Sequence, residues 1–176
     1  MADIIIAGFG GQGVLVLGQM ITYSGMLEDK AVSWFPSYGP EQRGGTCNCS
    51  VVIAEEEIGS PLVTVPTTAI VMNAPSFDRF EPTVGKDGLL IYNSSLIDKK
   101  SERDDIRVIA VPANEIAEEL GNARVANMVL LGTLIEATNV VKTESVEEAL
   151  KNVLSERHHD LIPLNMQALE RGRAYQ

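Results

Sequence analysis

Residues Ile4 to Gly25 read IIIAGFGGQGVLVLGQMITYSG, and no other stretch limits the choice of fold so sharply. Asp3 to Ala7 is an apolar run of strand length. Gly8, Gly10, Gly11 and Gly13 follow at once, and Val14 to Met26 contains no proline. A strand, a tight glycine turn and a buried helix are how a doubly wound α/β sheet begins. Glycine tolerates positive φ and, lacking a Cβ, admits another group close to the backbone. The free N–H groups of a helix start favour an anion there, by about 0.3–1 kcal/mol when exposed.

The loop fits G-x-G-x-x-G through Gly8, Gly10 and Gly13, a weak pattern by itself. A Walker A loop would end in Gly-Lys-Ser/Thr, whereas Gly13 is followed by Val14 and Leu15. A dinucleotide site places an acidic residue at the end of the second strand to hold the ribose hydroxyls. That strand, Ala31 to Phe35, ends in Trp34-Phe35-Pro36, and Glu28 and Asp29 precede it. The ribose reader is therefore missing. Two readings stay open for the loop: an anion edge, and glycines that only let strand and helix pack closely.

Further along, the 45% hydrophobic content of 176 residues suits one α/β domain over 1–176 rather than two. Thr46 to Ile53 alternates, with Cys47, Cys49, Val51 and Ile53 on one face, as a half-buried strand does. Ile58 to Val65 is expected to return as its hairpin partner, making a mostly parallel sheet mixed. Ala69 to Met72, Leu89 to Tyr92 and Ile106 to Val111 are apolar runs, each closed by a polar or proline turn. Helices are expected at Ala113 to Leu120, Arg124 to Thr138, Glu144 to Leu154 and from Pro163 onward, with a short one after Pro75. Val125 to Ile135 is almost wholly apolar, so that helix is buried in this chain or against a partner. The class expected is a Rossmann-like, doubly wound α/β sheet with an antiparallel hairpin and helices on both faces.

The loop from Ser33 to Thr46 is the most unusual in composition, with five Gly or Pro in the ten residues from Pro36 to Gly45. No regular element is expected there. It carries Trp34, Phe35 and Tyr38 beside Arg43. The aromatics suit a flat ligand or a partner, and Arg43 suits a phosphate or carboxylate. They equally suit capping of the core, with Arg43 paired to Glu41.

Candidate chemistry elsewhere is thin. Cys47 and Cys49 at i, i+2 cannot close a relaxed disulfide, and no second pair of ligands exists for a metal. They read as small buried apolar residues, and His158-His159 as solvated. Asn73 and Asn93, at strand ends, either line a crevice or cap turns. A net charge of −10 argues against nucleic acid and anionic membranes as broad partners. The opening MADIIIAGFGG lacks a signal peptide's basic start and long apolar core. No apolar run spans a bilayer, and two cysteines suit a reducing compartment, so a cytoplasmic location is expected.

Taken together, AGFGGQGV (Ala7 to Val14), WFPSYGPEQRGGT (Trp34 to Thr46), Cys49-Ser50-Val51 and EIGSPLV (Glu57 to Val63) resemble one family. It is the gamma subunit, or gamma domain, of the 2-oxoacid:ferredoxin oxidoreductases, nearest the small gamma subunit of 2-oxoglutarate-type enzymes. The resemblance implies oxidative decarboxylation of a 2-oxoacid, 2-oxoglutarate being the expected one, with coenzyme A as co-substrate and electrons passed to ferredoxin. Thiamine diphosphate, magnesium and iron–sulfur clusters would sit in partner alpha, beta and delta (ferredoxin-like) subunits, because this chain has neither a Gly-Asp-Gly…Asn-Asn pattern nor a Cys₄ set. The gamma chain would be required but inactive alone, and able to self-associate when isolated. Gly8, Gly10, Gly11, Gln12 and Gly13, with Tyr38, Gly39, Pro40, Arg43, Gly44, Gly45 and Thr46, would then close the coenzyme A side of the active site or join subunits. The alternatives are a free-standing NAD(P)- or FAD-binding Rossmann oxidoreductase and a regulatory module without enzyme partners.

Overall fold

The computed structural model describes residues 1–38 and 45–176; Gly39, Pro40, Arg43 and Gly44, expected at the site, lie outside the described residues. The chain runs β1 (Ala2–Phe9), α1 (Val14–Leu27), β2 (Ala31–Tyr38), β3 (Thr46–Ala54), β4 (Thr68–Val71), α2 (Ala74–Phe80), β5 (Leu89–Asn93), β6 (Arg107–Val111), α3 (Ala113–Glu119), α4 (Ala126–Thr138), α5 (Thr143–Val153) and α6 (Ile162–Arg173). The strands form one mixed sheet in the order β2-β3-β1-β4-β5-β6. β1, β4, β5 and β6 are parallel, and β3 runs antiparallel to both of its neighbours.

The continuous apolar run of β1 follows from its central place. Ile4 and Ile6 enter one core with α1, α3, α4, α5 and α6, while Ile5 and Ala7 enter another under α2. A strand buried on both faces needs apolar residues at every position rather than at alternate ones. β3 keeps the alternation read from its sequence, with Cys47, Cys49, Val51 and Ile53 all in the larger core. The apolar α4 finds its cover within this chain, since Asn127 to Ile135 are all buried.

Two expectations are corrected. Ile58 to Val65 is not a strand, and no strand lies between residues 55 and 67. β3 has both edges taken, by β1 from Ala2↔Ile53 to Phe9↔Thr46 and by β2 from Ala31↔Ala54 to Tyr38↔Cys47. With both ladders of β3 full, a segment broken by Gly59 and Pro61 finds no free side of β3 to pair with. The antiparallel hairpin is β2–β3. Conversely, β2 runs on through Pro36 to Tyr38, where no regular element is expected. β2 is the edge of the sheet, so a proline costs it no second ladder.

At the opposite end of the sheet Glu28 ties two turns together. Its carboxylate accepts from the Lys142 backbone N–H at 2.6 Å and pairs with Lys30 at 2.9 Å, and Lys30 also donates to the Val140 carbonyl. Burial pushes the Glu28 carboxyl up, but the hydrogen bonds from Lys142, Lys30 and Ser145 and the Lys30 charge outweigh it and hold it below its usual value. A carboxyl depressed on folding stabilises fully above its unfolded value, about 4.3, and ceases to do so as pH falls through the folded one. The urea midpoint of Glu28→Gln should therefore lie below wild type at pH 7, and the gap should close as the pH drops below about 4. A gap independent of pH would remove Glu28 ionisation from the account.

Candidate functional site

The antiparallel register of β1 on β3 puts the end of one strand beside the start of the other, with Phe9 opposite Thr46. The two loops singled out in the sequence, although more than 30 residues apart, therefore meet at one edge of the sheet. The Gly10 N–H donates to the Gly45 carbonyl at 3.1 Å. Between them opens a cleft of 680 Å³ lined by Phe9, Gly10, Gly11, Gly13, Val14, Leu15, Val16, Gly45, Thr46 and Cys47. Of the expected site residues, Gly10, Gly11, Gly13, Gly45 and Thr46 come together here.

Two glycines are required by conformation. Gly11 has φ 98° and Gly13, the residue before α1, has φ 79°. A side chain at Gly13 would also collide with the Asn127 amide. The turn leaves the N–H groups of Gly11, Gly13, Val14, Leu15 and Val16 with no acceptor among the described residues. Among the described residues no side chain caps α1, and its first turn holds no acidic residue. A row of amides at a helix start, unbonded and without a competing carboxylate among the described residues, suits a negatively charged group. Val16, an apolar residue 36% exposed on that first turn, gives the cleft a greasy wall.

Gly8 and Gln12 are not part of this lining. Gln12 turns inward: its Oε1 accepts from the Phe9 N–H at 2.6 Å and its Nε2 donates to the Met72 carbonyl at 3.2 Å. It staples the loop to the end of β4. Gly8 is needed because a Cβ there would meet the Gln12 Oε1 at 2.6 Å. Tyr38 ends β2 opposite Cys47.

Other sequence candidates resolve into structure. Trp34 packs against the larger core, its buried indole N–H without an oxygen or nitrogen acceptor among the described residues. Phe35, on the other face of the same strand, is 44% exposed. Burial pushes the Cys49 thiol up to about 12, the adjacent Trp34 N–H pulling it down and Cys47 adding to the rise. Cys47 is likewise raised by burial, so both thiols are inert at neutral pH. Asn73 caps α2 by accepting from the Ser76 N–H at 2.8 Å, and Asn93 accepts from the N–H groups of Ser95 and Ala113. His158 and His159 lie in a short 3₁₀ turn, Glu156–Leu161, with His159 against the Leu154 carbonyl. Glu28 and Asp29 sit at the far end of the sheet, away from the glycine turn, so neither serves as a ribose reader. Among the described residues no three His, Cys, Asp or Glu side chains converge as metal ligands.

Sequence reasoning missed Phe9, Val14, Leu15, Val16 and Cys47 as walls of the cleft. Val16 carries a signal in retrospect, because it falls off the buried stripe of Val14, Leu17, Met20 and Ile21.

Residues 3–175 match the family described as pyruvate ferredoxin/flavodoxin oxidoreductase. Over 168 residues, 95% of its length, the chain is 40% identical to the ketoisovalerate oxidoreductase subunit VorA of Methanothermobacter marburgensis, of which it spans only 35%. It is 38% identical over 157 residues to the 2-oxoglutarate synthase subunit KorC of the same organism, covering 85% of this chain and 84% of that one. Among solved structures, the gamma subunit of a keto/oxoacid ferredoxin oxidoreductase from Geobacter sulfurreducens aligns with a TM-score of 0.81 at 25% identity, over 98% of this chain and 96% of that one. The 2-oxoglutarate:ferredoxin oxidoreductase of Magnetococcus marinus, with 2-oxoglutarate, coenzyme A and succinyl-CoA bound, aligns with a TM-score of 0.89 over 99% of this chain and 31% of that one. At 21% identity that last likeness speaks for the fold alone.

Proposed function

This chain belongs to the pyruvate ferredoxin/flavodoxin oxidoreductase family and is similar throughout to gamma subunits of 2-oxoacid:ferredoxin oxidoreductases, and on that premise we propose that it is the gamma subunit of such a complex and that its glycine cleft shapes the coenzyme A side of the active site. The complex oxidatively decarboxylates a 2-oxoacid to an acyl-CoA and passes the electrons to ferredoxin. 2-Oxoglutarate is the first substrate to test, because the KorC relative matches over most of both chains.

The cleft carries this reading. Its unbonded amides offer a site to a phosphate of coenzyme A, and the apolar wall of Val14, Leu15 and Val16 offers one to the uncharged arm. Among the described lining residues none is a general acid, general base or nucleophile of lowered pKa, since the one thiol, Cys47, is raised. Thiamine diphosphate with magnesium and the iron–sulfur clusters do not fit this chain. Its two cysteines are buried on one strand face, and its described acidic side chains do not converge. Alpha, beta and delta subunits hold those groups, and the gamma chain contributes binding and assembly as one domain. The complex works in the cytoplasm; no described helix is long and apolar enough to cross a membrane.

Omission and add-back test the proposal. The purified chain, given 2-oxoglutarate, coenzyme A and a one-electron acceptor, should show no turnover. A complex assembled from the other subunits should lose at least about tenfold in kcat/KM without it and recover when it returns, a loss of about 1.4 kcal/mol in transition-state stabilisation. Turnover by the lone chain, or full activity without it, would overturn the assignment.

A further inference from the structure

A second recess of 250 Å³ lies across the loop from the glycine cleft, at the carboxyl ends of β1, β4 and β5. Here α1 leaves β1 toward one face of the sheet and α2 leaves β4 toward the other. Open α/β sheets bind ligands at such a switch point. Asn93, Asn114, Arg124 and Asn127 give the recess polar groups beside the apolar Met72 and Leu130, and no Asp or Glu among the described residues lines it, in a chain of net charge −10.

The hydrogen bonds leave specific groups over. Asn93 donates through Nδ2 to Asn114 Oδ1 at 2.7 Å, which fixes the Asn114 amide and leaves its Nδ2 without an acceptor among the described residues. Arg124 forms no ion pair among the described residues. Asn127 is only 6% exposed, and its Nδ2 reaches the Gly13 carbonyl at 3.4 Å while its Oδ1 finds no donor among the described residues. The recess thus offers a fixed amide donor and an amide acceptor carried by a buried residue, with the exposed Arg124 beside them. An amide donor and an amide acceptor that face an open recess without a protein partner among the described residues are matched by a ligand with the opposite groups.

We propose that this recess binds a compact oxyanion that also carries one O–H donor, of the hydrogen phosphate or hydroxycarboxylate type. Arg124 and Asn114 Nδ2 take the charged oxygens, and Asn127 Oδ1 takes the hydroxyl proton. The recess shares Gly11 with the glycine cleft but does not depend on that cleft binding coenzyme A.

Thermal melting of the full chain in sodium phosphate, glycolate or acetate, each against sodium chloride at equal ionic strength, tests it. Phosphate or glycolate should raise Tm by about 5 °C at fifty times its Kd, and whichever does so identifies the source. Acetate, which has the carboxylate but no hydroxyl, should bind at least about threefold more weakly. Asn114→Asp keeps the acceptor for Asn93 but replaces the free donor with a repelling oxygen, and Arg124→Gln removes the charge. Both should melt like wild type in chloride and lose the shift. Arg107→Gln, an exposed arginine in another cavity at the opposite edge of the sheet, should keep it. No shift in wild type, a shift retained in both recess variants, or acetate binding as tightly as the others would overturn the proposal.

Discussion

Gly132→Ala is expected to destabilise the chain severely, although alanine is the better helix former. Gly132 lies in α4 and Gly172 in α6, where the two helices touch backbone to backbone. A Cβ on Gly132 would lie inside the contact distance of the Leu169 carbonyl oxygen and 2.8 Å from its carbon. One on Gly172 would strike the Val129 carbonyl in the same way. Thr133 fixes the approach by donating its hydroxyl to the Gly172 carbonyl at 2.9 Å. Propensity alone would favour alanine by about 1 kcal/mol. Overpacking a core costs about 1–3 kcal/mol where side chains can yield, and backbone on the facing helix cannot rotate away. The clash should win, at about 3 kcal/mol or more, so Tm should fall by roughly 6–12 °C in a chain of this size. Gly172→Ala should behave alike. Gly59→Ala, with open space around the added carbon and no positive φ, should stay near wild type. A rise in Tm for Gly132→Ala would show that the helices separate easily, and the packing account would fail.

The second large effect separates stability from function by sign. Val16→Asp places a carboxylate in the first turn of α1, beside amides that have no partner among the described residues. A negative charge at a helix start is favourable by about 0.3–1 kcal/mol, so the variant should fold at least as well as wild type. The same carboxylate occupies the charge that the cleft would offer a ligand. Two unit charges 4 Å apart repel by about 4 kcal/mol at an effective dielectric of 20, and by about 1 kcal/mol in water. For a partly solvated cleft, KM for coenzyme A in the assembled complex should rise by about ten- to a hundredfold, with Val16→Thr close to wild type. An unchanged KM in an intact complex would end the coenzyme A role of the cleft. Lost assembly at unchanged KM would recast these loops as a subunit joint.

Much of the fold was legible because individual segments carry their own period. The apolar run of β1, the glycine turn and the start of α1 agree with the structure to within one or two residues, and the alternation in β3 names its buried face correctly. Reading failed where pairing depends on what else is nearby. Pro36 looked like a breaker because its tolerance comes from an edge that only the sheet order reveals. Ile58 to Val65 looked like a strand because nothing local says that both sides of β3 are occupied.

The candidate site divides in the same way. The four-glycine turn was legible as a place for positive φ, but only the structure shows that Gly8 and Gly10 do not adopt it and that Gly11 and Gly13 do. Gln12, adjacent to both, is turned inward by its bonds to the Phe9 N–H and the Met72 carbonyl, and no periodicity could show that.

By itself the sequence determined the type of most elements and the glycine turn that opens α1, both consequences of local backbone preference and short-range spacing. Tertiary structure decided which loops meet. The β1–β3 register brings Gly10 to Gly45, and the packing of α3 and α4 against each other and of α4 against β5 brings Asn93, Asn114, Arg124 and Asn127 to one recess. Contacts between residues distant in sequence are fixed by how strands pair and helices pack, and the chain acquires them only when the sheet closes.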